Sequence, residues 1–450
     1  MSKDFTQGSV YRQMYLFALP ILLTNFLQML MPVISSLWVG NLLGSAAFGA
    51  VTIGTTVMTV TLAFIIGMNN ATLTIFAQLK GRNEHGEIRS YLSAFVVILL
   101  MLSLVTGALG FVFVEPLLVL LNAPDSIQGV ATIYLRINFL GILFLSGYNF
   151  IGTVLRAFGD SKTQLYFVLV ATVLNAVLAP LFMAGFGLGV AGAAYATVLA
   201  QAAAFLYSLI WLAMKFGQYS FRLQLPQLSQ VSTILRLGIP AGTQMIVIYA
   251  GMTVILSIVN TFGESVVAGF GAAQRLDTII LLPAIALGVA VNAMAAQNIG
   301  IKQWARVTRI TKVGIAYNLC VMLAIASILF VFAEPLVRLF IPEEDSVAFG
   351  ASYLRTIALF YPFIGLNFIF NGVVRGAGVM FQVLMLNIIS LWVLRVPLTY
   401  FTTSLYGDAG LALGMGVSFL MSCLFSAAYY IWGGWRNKQL FAPRAAEASR

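Results

Sequence analysis

The sequence predicts an all-α integral membrane protein. It should have twelve transmembrane helices, arranged as two six-helix bundles related by a pseudo-two-fold axis along the membrane normal. Three observations carry this expectation. The chain is 60% hydrophobic and only 8% charged, where a soluble domain carries about 25% charged residues. Its apolar residues fall into long runs whose alternate ends carry the basic residues. It also repeats itself at about half its length.

Composition limits the surface. With 8% charged residues, most of it must face something other than water, which excludes a soluble enzyme. Long, nearly charge-free runs read as membrane spans, and about 20 apolar residues cross the hydrocarbon layer as a helix. Open sheet edges are too costly in lipid, and the alternating ten-residue strands of a barrel do not occur. Twelve runs qualify: 14–38, 48–78, 91–114, 130–154, 163–184, 190–214, 233–259, 266–297, 310–332, 350–373, 381–403 and 410–432. The first is too long for the core of a cleavable signal, and no small-residue cleavage site follows it.

Lys and Arg accumulate on cytoplasmic connections. Nineteen of the 24 basic residues fall on one set of connections and the span ends that flank them. That set begins with Lys3 and Arg12, continues through Lys80, Arg156, Lys215, Arg222, Lys302 and Arg375, and ends with Arg444 and Arg450; the alternate set carries only Arg338. Both termini are therefore expected in the cytoplasm. The net charge of +10 belongs to this orientation, so no nucleic-acid partner is expected. The single histidine, His85, stands in a charged loop with no cluster of ligands around it, so neither a metal nor another cofactor is expected. Cys320 and Cys423 lie inside apolar runs and read as inert core thiols rather than a disulfide.

The repeat sets the domain organisation. Residues 115–136 read EPLLVLLNAPDSIQGVATIYLR and residues 334–355 read EPLVRLFIPEEDSVAFGASYLR, an offset of 219. Ala77-Gln78 and Gly81 match Ala296-Gln297 and Gly300, and Arg156 and Gly159 match Arg375 and Gly378, at the same offset. Ala18-Leu19-Pro20 matches Gly238-Ile239-Pro240 at 220. Six spans per half is an even number, so both halves enter the membrane with the same orientation, as in transporters built from parallel repeats. The expected organisation is an N-terminal lobe (1–214), a cytoplasmic linker (215–232), a C-terminal lobe (233–435) and a cytoplasmic tail (436–450). Two facing lobes would enclose a cavity and expose it to each side in turn by rocking. No nucleophile–base set stands near any span end, so an enzyme is not expected. Nothing calls for an oligomer, and a monomer is expected.

At this level of detail the chain resembles the multidrug and toxic compound extrusion (MATE) family. The resemblance covers roughly residues 10–435. It rests on the 6+6 spans, the first-span ending Pro32-Val33-Ile34-Ser35-Ser36-Leu37-Trp38-Val39-Gly40, the Gln-x-x-Gly turns after spans 2 and 8, the Tyr-Leu-Arg starts of spans 4 and 10, and Asn175…Pro180 in span 5. The nearest branch is the bacterial DinF-like one. The resemblance implies a V-shaped pair of bundles in the bacterial cytoplasmic membrane. It implies an antiporter that exports small amphipathic, often cationic, organic compounds in exchange for protons or sodium. A flippase for a lipid-linked or anionic amphiphile is the alternative. The chain also departs from the family: Ser35 stands where many members have an Asp, Ala179 where many have an Asp before the span-5 proline, and spans 7 and 10 hold no acid.

The candidate ion-coupling and substrate-binding residues follow from what remains polar inside the spans. Asp277 is the only acid there, near mid-depth, and serves either ion coupling or an ion pair with Arg395 of span 11. Arg275 stands two residues away and points elsewhere on a helix. Gln28, Asn69, Asn70, Asn149 and Asn175 in the first half, and Gln244, Tyr249 and Asn371 in the second, either line a cavity or join helices by hydrogen bonds. Arg136 and Arg355, equivalent in the repeat, are expected to snorkel to the interface or tie helix ends. Four arginines against one aspartate inside the spans suit anionic or zwitterionic amphiphiles.

Overall fold

The computed structural model describes residues 4–121, 123–216 and 225–441. Among them there are only helices, turns and links, with no strand. Ten helices are long and apolar enough to cross a membrane, and two bent helix pairs bring the spans to twelve.

The first half comprises α1 (Val10–Leu43), α2 (Ser45–Gly81), α3 (His85–Leu120), the bent pair α4 (Asp125–Leu140) and α5 (Ile142–Ala157), α6 (Lys162–Pro180) and α7 (Gly189–Phe216). The second half repeats the order: α8 (Leu228–Val259), α9 (Glu264–Ile280) running on into α10 (Leu282–Gly300), α11 (Trp304–Arg338), the bent pair α12 (Glu344–Ala358) and α13 (Tyr361–Gly376), α14 (Met380–Ile388) with α15 (Val396–Tyr406), and α16 (Ala409–Trp432). Helices run several residues beyond the apolar runs that mark the spans. Backbone hydrogen bonding does not stop where apolarity does.

Two repeated features have visible causes. Gly44 and Gly263, 219 apart, are the links from α1 to α2 and into α9, with φ of 85° and 94°. Gly159 and Gly378 follow the helix ends that carry Arg156 and Arg375, with φ of 86° and 79°. A side chain at any of these positions would be strained. The bent pairs are also equivalent, with angles of 46° and 51°, but their chemistry differs. At the first, Gly141 lies so close to α7 that a Cβ would meet Val198 at 2.5 Å. At the second, Pro362 stands in the first turn of α13, where its missing N–H ends the preceding run of hydrogen bonds.

The chain divides into two compact units, Leu19–Gly238 and Phe5–Ala18 with Ile239 onward. The expected lobes are each one unbroken stretch, whereas here Phe5–Ala18 groups with the second unit. The opening segment packs within the second unit: Phe5 is fully buried, and its N–H donates to Gln297 Oε1 at 3.0 Å. Its carbonyl accepts from Asn298 Nδ2 at 3.1 Å and from Arg306 Nε at 2.8 Å. In turn the start of α8 belongs to the first unit, where Gln230 donates to the Ser90 hydroxyl. The changeovers fall at Ala18/Leu19 and Gly238/Ile239, immediately before Pro20 and Pro240, the motif repeated at offset 220. Of the expected linker, 217–224 lies outside the described residues, as does 442–450 of the expected tail; Arg222, Arg444 and Arg450 are among these, and Lys3 also lies outside the described residues.

Each unit has its own apolar core. One gathers Val51, Met58, Tyr134, Phe139 and Ala179. The other gathers Phe270, Leu276, Tyr353, Tyr361, Met415 and Phe419. Small residues allow close helix approach in lipid, where hydrophobicity does not drive association. Between α10 and α13 a Cβ on Gly372 would meet the Gly288 carbonyl oxygen at 2.6 Å. Cys423 is buried but Cys320 is exposed, so Cys320 sits on an outer helix face and not in a core.

Candidate functional site

The second unit holds a polar cluster inside its apolar core. Asp277 lies 13 residues into the 37-residue span Glu264–Gly300, about 20 Å along it at 1.5 Å per residue. Pro283, in the first turn of α10, ends α9 just beyond it. The Tyr361 hydroxyl, from the bend between α12 and α13, donates to Asp277 Oδ1. The Tyr353 hydroxyl, from α12, is turned to the same carboxyl and lies 3.4 Å from Met415 Sδ. The Tyr353 ring meets Phe270 edge-on at 5.3 Å.

Arg395 completes the cluster. It is the last residue of a π-helical segment, Ile389–Arg395, that joins α14 to α15; such segments are rare and are often found at functional sites. Its Nε donates to Ser418 Oγ at 3.0 Å, and its guanidinium lies over the Phe419 ring at 4.7 Å. Tyr353 interacts electrostatically with both Asp277 and Arg395. The direct Asp277–Arg395 ion pair weighed from the sequence does not form. Among the described residues no cation lies within ion-pair distance of Asp277, and the Tyr361 hydroxyl holds its Oδ1. Arg275 is exposed, on another face of α9.

The other arginines counted as interior are not part of this cluster. Arg136 pairs with Glu115 at 2.9 Å and lies over Phe111. Arg355 donates to the Phe330 carbonyl at 3.3 Å. Both tie helix ends. The four-to-one balance of interior charge is therefore replaced by one arginine and one aspartate in a single cluster.

The neutral candidates are dispersed. In the first unit, Gln28 donates to Asn149 Oδ1 at 2.8 Å, joining α1 to α5. Asn175 of α6 donates to Thr197 of α7 at 3.0 Å, and its Oδ1 is buried without a partner. Asn69 and Asn70 are half-buried in α2, with Asn69 Oδ1 also unpartnered. Ser35 is buried and its hydroxyl has no partner. In the second unit, Asn371 donates to Asn367, and Ser426 donates to both side-chain oxygens. Gln244 is buried and Tyr249 half-buried in α8. None of these joins the Asp277 cluster.

Tyr353, Tyr361, Ser418 and Phe419 were not singled out by the sequence. Tyr353 was in view as part of the repeated Tyr-Leu-Arg, whose first-half counterpart is Tyr134. Tyr361 precedes the proline that bends its span, which is a signal that a periodicity argument passes over.

The model of the MatE family matches residues 20–181 and again 240–401, one repeat each. The chain belongs to the MatE family. Its members are multidrug efflux transporters, so the chain is a multi-pass membrane transporter and not an enzyme. It is 52% identical over 442 residues to the probable multidrug resistance protein YpnP of Bacillus subtilis, covering 98% of this chain and 99% of that one. It is 24% identical over 396 residues to an FAD transporter of Shewanella oneidensis, covering 86% and 87%. Among solved structures, a Vibrio cholerae MATE transporter in its bent form superposes with a TM-score of 0.90 at 20% identity, over 96% of this chain and 98% of that one. A transporter from Pyrococcus furiosus, described as having a binding pocket of reverse polarity, superposes with a TM-score of 0.88 at 22% identity, over 98% of each chain.

Proposed function

We propose that this MatE-family chain exports small amphipathic organic compounds in exchange for protons or sodium, its two lobes alternating access to the two sides of the membrane. The observation that carries the proposal is Asp277. Among the described residues it is the one acid away from the ends of the spans. A carboxylate at mid-depth is costly unless neutralised, and hydroxyl groups, not a guanidinium, hold this one. Its charge is therefore left for an entering ion to neutralise. Two carboxyl oxygens with two phenol oxygens beside them form an all-oxygen donor set, which suits either a proton or a hard cation. The chain would sit in the bacterial cytoplasmic membrane, and the bias of basic residues to one set of connections supports both termini on the cytoplasmic side. The coupling role passes to the second half because Ser35 and Ala179 have no titratable group.

Uptake into proteoliposomes under an imposed proton or sodium gradient tests this reading, for wild type and Asp277→Asn. Gradient-driven uptake by wild type, lost in the variant, is the expected result. Uptake that stays coupled in Asp277→Asn removes Asp277 from the mechanism. Failure of both gradients to move any amphiphile by wild type overturns the antiport itself. A second reading, a flippase for a lipid-linked or anionic amphiphile, draws on Arg395. The Shewanella oneidensis relative named for FAD, an anionic cargo, and the Pyrococcus furiosus pocket of reverse polarity support it.

A further inference from the structure

We infer that Arg395 is the receptor for an anionic headgroup, at a subsite inside the second unit walled by the π segment, α12 and α16. It would take an amphiphile with a carboxylate or phosphate head and an apolar tail. The inference rests on the transporter reading above and gives that site its substrate class.

Two contacts hold the Arg395 guanidinium. Phe419 supports its face at 4.7 Å and Ser418 accepts from Nε at 3.0 Å. Ser418 is itself fixed, fully buried and donating to the Met415 carbonyl at 2.6 Å. These contacts fix the plane of the group and engage one donor edge. They leave the two terminal amino groups without a hydrogen-bond acceptor or carboxylate among the described residues. A planar fork held by its back and open at its tip is the arrangement that binds carboxylate or phosphate in bidentate fashion.

The charge balance points the same way. Arg136 has Glu115, Arg355 has a backbone carbonyl and Arg275 is exposed. Arg395 is the cation inside the second unit's polar cluster, with no carboxylate within ion-pair distance among the described residues, and an uncompensated cation at that depth is costly. Access is visible in the burial pattern. Tyr353 and Tyr361 are 2% and 1% exposed, yet Asp277 and Arg395 on either side of them are only half-buried. Each charged residue therefore keeps part of its surface accessible, and Phe419, Met415 and Leu276 of the surrounding core offer an apolar lining for a tail. Tyr353, which interacts with both charged groups, would feel a headgroup on Arg395 and an ion on Asp277 together.

The test is equilibrium binding with no ion gradient. Purified protein in zwitterionic-lipid nanodiscs would be loaded with a fluorescent fatty acid, with empty nanodiscs as the blank. Dodecyl phosphate and dodecyltrimethylammonium would then compete for it. The phosphate should displace the probe at least about tenfold better than the ammonium. Arg395→Gln should weaken the phosphate about 10- to 100-fold, the range for a charged hydrogen-bonded pair, while Arg395→Lys should recover part of the loss. Equal competition by the ammonium on wild type overturns the inference, and this arm stands even if Arg395→Gln does not fold. Unchanged phosphate binding in a folded Arg395→Gln overturns it as well. Adding phosphatidylglycerol to the nanodiscs separates two sources of the same headgroup. Loss of probe identifies bilayer lipid as the occupant, and retention identifies a free amphiphile. Because no gradient is applied, a failed antiport assay leaves this result intact, and loss of the anion preference leaves the antiport reading intact.

Discussion

The two halves share a backbone plan but not a chemistry. At the offset of 219, Met58 stands where Asp277 stands, Tyr134 where Tyr353 stands and Ile142 where Tyr361 stands. Val173-Leu174-Asn175 matches Val393-Leu394-Arg395 at 220. In the first half this set is an apolar core: Met58 and Tyr134 pack in one cluster, and Asn175 is spent on a bond to Thr197. In the second half the same positions form a carboxyl, two phenols and a guanidinium. The offset grows by one between Gly378 and Val393, so the second half carries one extra residue there. The π-helical segment Ile389–Arg395 overlaps that interval, and a π-bulge can accommodate an extra residue in a helix. The repeat supplies the scaffold, and a few differences in sequence place the polar site in one half only.

The strongest test of that contrast is to remove hydroxyls from each half. Tyr361→Phe removes the hydroxyl that donates to Asp277, and Tyr353→Phe removes the second phenol hydroxyl beside it. A bond to a charged group contributes about 1.5–3 kcal/mol, and 1.4 kcal/mol corresponds to about tenfold. Gradient-driven uptake should therefore fall about 10- to 100-fold in each single variant. Tyr134→Phe, at the equivalent place in the first half, should leave uptake within about twofold, since no acid faces it. Equal losses from Tyr134→Phe and Tyr353→Phe would mean that the halves are functionally alike.

The middle of the scale is packing. Gly288 and Gly372 in the second half replace Asn69 and Thr153 of the first. The glycines bring α10 and α13 together, with the Gly288 carbonyl 2.6 Å from where a Cβ on Gly372 would lie. Gly372→Thr, which installs the first half's own residue, should destabilise by about 1–3 kcal/mol through overpacking. A lowered unfolding midpoint of the purified protein would show it. An unchanged midpoint would mean that the helices can separate to first-half spacing without loss.

Most of the fold was legible because lipid imposes it. Each span needs about 20 apolar residues, and the twelve runs coincide with the ten long helices and two bent pairs. Asp277 and Arg395 were legible as charges that the membrane should not tolerate. Their partners were not. Hydropathy treats Tyr361 and Phe419 as ordinary apolar residues, and only the bend at Phe360 brings the Tyr361 hydroxyl to α9. The placing of Phe5 in the second unit was also hidden, since a short polar lead into a span carries no periodic signal. Arginines counted by span mislead when they sit near a helix end, as Arg136 and Arg355 do, because reach along the side chain decides where the charge lies.

The smallest contrast lies at the opposite end of the helices from Lys80 and Arg156. Glu115 and Arg136 pair at 2.9 Å in the first half. Their equivalents, Glu334 and Arg355, do not pair, because Arg338 has entered where the first half has Val119. Arg338 takes Glu334 at 3.2 Å and Glu344 at 2.9 Å, and Arg355 turns to the Phe330 carbonyl. Glu115, Glu334, Glu344 and Arg338 are all exposed. Glu115→Gln should cost about 0.2–1 kcal/mol, the range for an exposed pair. Glu334→Gln should cost less, since Glu344 still holds Arg338 through both carboxylate oxygens. Unfolding midpoints at low salt and at about 1 M salt, where the Debye length shrinks to about 3 Å, would separate the two. The Glu115→Gln deficit should disappear at high salt. A deficit that persists there would mean that Glu115 acts through packing against α4 and not through its charge.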